Sequence, residues 1–156
     1  MSSSINGKYY LVSGGNDYAI FVYSLQNTSL HLLWKLPSAH NGIISSILFG
    51  WGMASGLLYS GGYDTCVKVW SLASKECIGE LQHHKEKVVS LCQTMDGHYL
   101  ITASADRNVY VYDIMKNFQV FCSFQTVDEP VSLTCYHTSI IVSMKSGFSQ
   151  VWNLPL

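Results

Sequence analysis

The chain has 156 residues, which suits one domain of ordinary size, and 12% of them are charged, with a formal net charge of −1. These few charges are spread without runs. A nucleic-acid-binding surface needs clustered lysines and arginines, so we expect no nucleic acid partner. The sequence does not begin with a positively charged segment followed by an apolar stretch, and therefore no secretory signal is expected.

The cysteines indicate the compartment. There are five of them, an odd number, and they include no C-x-x-C pair. This pattern favours reduced thiols over a disulfide framework. We therefore expect a cytoplasmic protein, with the nucleus as the alternative compartment. The five are Cys66, Cys77, Cys92, Cys122 and Cys135.

Four segments of similar sequence recur along the chain. They read SGGNDYAIFVYSL (13–25), SGGYDTCVKVWSL (60–72), TASADRNVYVYDI (102–114) and VSMKSGFSQVWNL (142–154). Their last aromatic residues, Tyr23, Trp70, Tyr112 and Trp152, are 47, 42 and 40 residues apart. A fixed period in this range indicates a repeat architecture, and such repeats stack into scaffolds that bind other molecules.

The predicted elements are short apolar strands separated by polar turns. The first unit is expected to begin at its second strand, in NGKYYLVSGG. The second unit has strands at 43–49, 57–62, 66–72 and 76–82, and the third at 88–94, 99–104, 109–114 and 118–124. The fourth ends without a fourth strand, which gives fourteen strands in all. In the third strand of the second unit we expect Val67 and Val69 on one face of the strand, and in the third unit we expect Val109 and Val111 on the same face as each other.

One stretch could be taken for a membrane span. Residues 41–63 carry no charge and are long enough to cross a bilayer. Six glycines and four serines interrupt the stretch, however, and they separate two β-rich pieces, IISSILF and GLLYSGG. We therefore predict two buried strands and no contact with a membrane.

These repeats resemble the WD40 repeat family. Its pattern joins a Gly-His pair before the first strand to an Asp in the turn between the second and third strands and a Trp-Asp pair ending the third. The second unit carries His40, Asp64 and Trp70, and the third carries His84 and Asp106. The resemblance implies an all-β fold of WD40-type β-propeller blades, about three and a half four-stranded antiparallel blades in an incomplete ring. The units span about 1–37, 38–82, 83–124 and 125–156.

The resemblance also implies a hydrogen-bonded set of four side chains, a tetrad, in each complete blade. The tetrads would be His40, Ser60, Asp64 and Trp70 in the second unit, and His84, Thr102, Asp106 and Tyr112 in the third. The fourth unit departs from the pattern, because Val127 stands where the His is expected and Ser146 where the Asp is expected. We expect that unit to lack the buried network.

Two groups of residues could suggest catalysis or metal binding. Ser, His and Asp in one unit suggest a serine hydrolase, but the set recurs as a blade feature and no G-x-S-x-G motif is present. His83 and His84 near Cys92 suggest a metal site, but adjacent residues on a strand point to opposite sides and no further ligand lies at a recognised spacing. We therefore predict no enzyme activity, no metal and no cofactor.

The predicted function is a non-catalytic protein–protein interaction scaffold, part of a larger multidomain protein or complex. Its partners would be other proteins or peptides, and the open blade edges could also cause self-association. The chain is expected to be a fragment or isoform, and two chains closing one ring is the other explanation. The alternative function is a regulatory or sensor segment of a nucleotide-driven switch protein. By resemblance, the partner-binding face comprises Asn16, Ile43, Ser45, Tyr63, Lys87, Val89, Pro130, Ser132 and Lys145.

Overall fold

A computed structural model describes residues 2–5 and 8–155 of the chain, with side chains from residue 9 onward. These residues form four antiparallel sheets. The first sheet contains β1 (Ser2–Ile5), β2 (Lys8–Gly14), β3 (Ile20–Gln26) and β4 (Ser29–Leu36). The second contains β5 (Ile44–Phe49), β6 (Leu57–Gly62), β7 (Val67–Ser71) and β8 (Cys77–Leu81). The third contains β9 (Val88–Gln93), β10 (Tyr99–Ser104), β11 (Asn108–Asp113) and β12 (Gln119–Gln125). The fourth contains β13 (Pro130–Tyr136), β14 (Ser139–Met144) and β15 (Ser149–Asn153).

The predicted all-β fold of propeller blades is confirmed, and the strand count is corrected. The first sheet has four strands, because β1 pairs with β2 in antiparallel register, Ser2 opposite Leu11. The prediction that this unit begins at its second strand is therefore wrong. A four-residue, serine-rich strand gives no apolar alternation that the sequence alone could reveal.

The stretch free of charges is confirmed as two strands, β5 and β6, joined through a short 3₁₀ helix at Gly52–Ala54. Across residues 2–5 and 8–155, no helix combines the length and apolar character needed to cross a membrane.

Apolar side chains fill the space between consecutive sheets. In β7 and β11 the predicted alternation is confirmed, because Val67, Val69, Val109 and Val111 are fully buried. Trp70 is buried as well, since the first sheet covers its side of the second sheet. The three interfaces contain Val22 with Leu58, Tyr59 with Leu100, and Val111 with Ile140, in chain order.

The first strands of neighbouring sheets are joined by serine side chains. The Leu91 N–H donates to Ser46 Oγ over 3.2 Å, and the Leu133 N–H donates to Ser90 Oγ over 3.0 Å. The two serines occupy the same place in successive units. They give each sheet a fixed register on the next one, because a hydrogen bond constrains position more than apolar contact does.

The turns between second and third strands share one backbone conformation. Tyr18, Thr65, Arg107 and Gly147 all have positive φ, between 61° and 87°. In the first three units the preceding Asp accepts the N–H two residues later, at 3.3, 3.4 and 2.8 Å. The fourth unit has Ser146 in place of that Asp, and glycine at the left-handed position reduces the strain that the missing carboxylate leaves.

Candidate functional site

The structure brings the four predicted tetrad residues of the second unit together. His40 lies just before β5, Ser60 on β6, Asp64 in the following turn and Trp70 on β7. His40 Nδ1 lies 2.9 Å from Asp64 Oδ1, and His40 Nε2 lies 2.7 Å from Ser60 Oγ. The Trp70 indole N–H donates to Ser60 Oγ over 2.8 Å.

These contacts fit one arrangement of protons. The His40 Nδ1–H donates to the Asp64 carboxylate, so Nε2 accepts a hydrogen bond from the Ser60 hydroxyl. Ser60 Oγ in turn accepts a hydrogen bond from the Trp70 indole N–H. Burial lowers the pKa of His40 more than the Asp64 carboxylate raises it, so the imidazole is neutral. Burial alone would raise the pKa of Asp64, but hydrogen bonds from His40 and from backbone N–H groups lower it below its usual value.

Two glycines make room for this network. A Cβ at Gly62 would overlap both His40 Nδ1 and Asp64 Oδ1, and a Cβ at Gly42 would lie 2.9 Å from the Asp64 backbone nitrogen. The backbone approaches the two side chains closely at Gly62 and the Asp64 backbone closely at Gly42, which only glycine permits.

The His40 network has the same side-chain contacts as a serine-protease triad, but a substrate cannot reach its serine. Ser60 and His40 are 0% and 1% exposed, and the Ser60 oxygen already accepts from an indole. A nucleophile must reach the substrate carbonyl, and here buried side chains enclose the hydroxyl. The arrangement can therefore hold strands together but cannot attack a substrate.

The third unit forms a looser version of the network. His84 Nε2 lies 2.7 Å from Thr102 Oγ1, but His84 Nδ1 is 3.4 Å from Asp106 Oδ2 and makes no hydrogen bond. Asp106 instead accepts the Lys85 N–H over 2.7 Å. Burial lowers the pKa of His84 more than the nearby Asp106 carboxylate raises it.

Tyr112 replaces the tryptophan of the second unit, and its hydroxyl lies 3.3 Å from His83 Nδ1. His83 is exposed and packs on the rings of Tyr110 and Tyr112 at centroid distances of 5.5 and 5.6 Å. Between residues 9 and 155, no three His, Cys, Asp or Glu side chains come together as metal ligands.

The fourth unit differs from the sequence-based alignment by one residue. The buried counterpart of His40 and His84 is Thr126. In the second and third units, the N–H of the residue after the histidine donates to a side-chain oxygen. In the fourth unit the N–H of Val127, the residue after Thr126, donates to Gln150 Oε1 over 3.1 Å. Val127 itself is 70% exposed. Because the fourth unit has threonine at the histidine position, its sequence could not be aligned with the other units by this residue.

Three residues of the predicted partner-binding face form a continuous strip across three units, together with Glu129. Tyr63 is 47% exposed, and the Lys87 ammonium lies 5.2 Å from its ring centroid. Glu129 pairs with two lysines, at 3.7 Å from Lys87 Nζ and 3.2 Å from Lys145 Nζ. We call Tyr63, Lys87, Glu129 and Lys145 the turn-face strip.

Two residues of the predicted partner-binding face do not have the positions that the prediction gave them. Pro130 is buried, and it pairs with Met144 as Ile44 pairs with Gly62. Ser132 is exposed, but it holds the place of Ser46 and Ser90, which face a neighbouring sheet. Both misplacements follow from the one-residue shift in the fourth unit, where Glu129 and Val131 are the counterparts of Lys87 and Val89.

The remaining face residues surround the strip. Asn16 is exposed in the first turn, and Ile43 and Val89 are half-buried. Ser45 is exposed, and its hydroxyl donates to the Gly61 carbonyl over 3.0 Å. Sequence reasoning missed Glu129, although its place directly before Pro130, next to the start of the fourth unit, could have indicated it.

Comparison with known proteins identifies the repeats. The family model described as "WD domain, G-beta repeat" matches residues 31–71 and 75–113, together more than half of the chain. The chain belongs to the WD40 repeat family. The two matched segments contain most of the second and third blades, with all eight residues of the two predicted tetrads.

Several WD40 relatives match the chain at similar levels. Transducin beta-like protein 3 of Rattus norvegicus is 30% identical over 67% of this chain and 13% of its own length. The DDB1- and CUL4-associated factor 11 homolog of Caenorhabditis elegans is 29% identical over 68% of this chain and 19% of its own length. Protein hir1 of Aspergillus terreus is 30% identical over 85% of this chain and 13% of its own length. The match therefore spans less than a fifth of each relative.

Proposed function

We propose that this protein is a non-catalytic interaction scaffold that binds a partner protein or peptide through the turn-face strip, as part of a larger protein or complex. WD40 repeats generally serve as interaction scaffolds, and one relative is named for its association with DDB1 and CUL4. The small share of each relative that the match spans supports a larger assembly. The alternative, a sensor segment of a nucleotide-driven switch protein, stays a prediction.

The observation that carries this proposal is the arrangement of the strip. An exposed tyrosine ring is held from one side by the Lys87 ammonium, which Glu129 in turn holds from the next blade. Exposed aromatic residues are enriched at the energetic centres of interfaces, and a ring that is already fixed loses little entropy on binding. The strip therefore offers a partner a rigid aromatic contact beside paired charges.

No chemistry is expected at this surface, and we propose no cofactor. The Ser-His-Asp set lies inside the second blade. The strip offers two ammonium groups, a carboxylate and a phenol, which suit recognition of a polar peptide. The compartment we propose is the cytoplasm, with the nucleus as the alternative, because five cysteines without a paired motif favour a reducing environment.

The test is a double variant, Tyr63→Ala with Lys87→Glu, used as bait in quantitative affinity purification. We expect the proteins enriched by the wild type to be lost, because truncating an interface aromatic commonly costs about 2 kcal/mol or more, roughly thirtyfold in affinity. The thermal midpoint should change by only a few degrees, since exposed substitutions usually cost under about 0.5 kcal/mol.

The matched control is Met95→Ala with Lys116→Glu, which makes the same kinds of change at the opposite ends of the third-blade strands. Met95 and the Lys116 side chain are 61% and 69% exposed. The control should bind like the wild type. Equal binding by both double variants would move the interface away from the strip, and unfolding of the Tyr63 variant would show that this ring belongs to the core.

We also propose that the isolated chain self-associates through its uncovered sheets. The outer face of the first sheet presents Leu25, Leu30 and Leu32 at 41%, 54% and 55% exposure. In the fourth sheet Val151 is 62% exposed, although its counterparts Val69 and Val111 are fully buried. Light scattering at micromolar concentration should give a mass above the monomer, and a stable monomer would contradict the proposal.

A further inference from the structure

An apolar cleft of about 370 Å³ lies between the first and second sheets. Its walls are formed by Tyr10, Val22, Leu33, Trp34, Gly56, Leu72, Ala73 and Lys75. Gly56 and Tyr63 lie at opposite ends of β6, so the cleft is at the end of the strands away from the turn-face strip. A cleft of this size, apolar with few polar groups, is typical of binding sites.

The next blade interface shows what fills such a cleft. The Lys75 N–H donates to the Ser71 carbonyl and the Phe118 N–H to the Asp113 carbonyl, both over 2.9 Å, and both residues have φ near 60°. Phe118 is therefore the counterpart of Lys75 in the third blade. Its ring packs edge-on against Tyr59 of the second sheet, with centroids 6.1 Å apart. The second blade has lysine where the third has this aromatic plug, and the space stays open.

One charged group lines the cleft, and one buried hydroxyl lies beside two of the lining residues. Lys75 is the only charged residue of the lining, and within the described part of the chain it forms no ion pair. Ser24 lies opposite Tyr10 on β2 and two residues after Val22 on β3, so its side chain is on the same face as theirs. It is 5% exposed, and its hydroxyl has no hydrogen-bond partner. A buried hydroxyl without a partner is costly, but Ser24 lies outside the lining of the cleft, so the unpaired Lys75 is the polar group that a bound molecule can reach.

We infer that this cleft binds a peptide segment of a partner protein, which inserts an aromatic side chain as Phe118 does next door and places a carboxylate beside Lys75. The aromatic ring matches the apolar walls, and the carboxylate complements the unpaired ammonium. This site is separate from the turn-face strip, so a partner could engage both ends of the strands.

The inference is tested with ¹⁵N-labelled chain and the peptide acetyl-Gly-Phe-Asp-Gly-amide, followed by chemical-shift changes. We expect saturable shifts at Val22, Trp34, Leu72 and Lys75. Replacing the peptide's Phe with Ala should weaken binding about tenfold or more, and replacing its Asp with Asn should weaken it several-fold. Shifts that do not saturate, or that fall around Tyr63 instead, would overturn the inference.

Two variants of the chain complete the test. Lys75→Phe places a plug in the cleft, in a conformation that Phe118 already adopts, and should abolish binding without lowering the thermal midpoint. Lys75→Glu should weaken binding about tenfold. The matched control, Lys116→Glu in the equivalent turn of the third blade, should bind normally, and so should the Tyr63→Ala, Lys87→Glu variant. Loss of binding in these controls would contradict the assignment.

Other occupants have distinct outcomes. If 3-phenylpropanoate binds as tightly as the peptide, the cleft is a small-molecule site and a peptide partner is overturned. If the cleft residues shift with protein concentration in the absence of peptide, a second copy of the chain occupies it, and the inference is equally overturned.

Discussion

Replacing Gly62 with alanine is expected to lower the free energy of unfolding by about 3 kcal/mol, because the new methyl group would overlap His40 Nδ1 and Asp64 Oδ1. Either the network opens, leaving buried polar groups without partners, or β6 moves against the first sheet. Urea unfolding of the purified variant measures the change.

The first blade supplies a matched control for this substitution. Gly15 holds the place of Gly62, and a Cβ there would meet nothing within 4 Å. Gly15→Ala should therefore leave the free energy of unfolding unchanged, or raise it by up to about 1 kcal/mol through the unfolded chain. Equal effects of the two substitutions would show that the His40–Asp64 network does not stabilise the fold.

Acidification is expected to destabilise the protein from about pH 6.5 downward. Burial lowers the pKa of both His40 and His84 in the folded state, so the unfolded chain binds more protons below the ordinary histidine pKa of about 6.5. The stability is fully present above that pH. As the pH falls toward the folded values, each histidine removes up to about 1.4 kcal/mol per pH unit.

The two aspartates act in the same direction at lower pH. The pKa values of Asp64 and Asp106 are lowered, so their contribution is present above about pH 4 and is lost as the pH falls further. Urea unfolding at pH 7.5, 6.5 and 5.5 measures the histidine part. A flat profile for the wild type would mean that neither buried histidine is held neutral.

How far the sequence determined this protein is clearest in the second and third blades. The repeat of a turn Asp and a strand-ending aromatic places His40, Ser60, Asp64 and Trp70 at fixed intervals, and a period-2 strand pattern leaves few other ways to pair them. The strands of these blades lie within a residue or two of their predicted positions. Local signals suffice there because each blade is built from neighbours in sequence.

Tertiary structure alone decided the features that depend on contacts between blades. Nothing in a serine-rich segment shows that Ser2–Ile5 pairs with β2, since register comes from the partner strand. In the fourth blade, without its histidine, only backbone pairing shows that Thr126 and Glu129 hold the places assigned to Val127 and Pro130. The strip and the cleft join residues of different blades. Their geometry depends on how whole sheets pack, because side chains far apart in sequence meet only after each sheet has taken its register on the next.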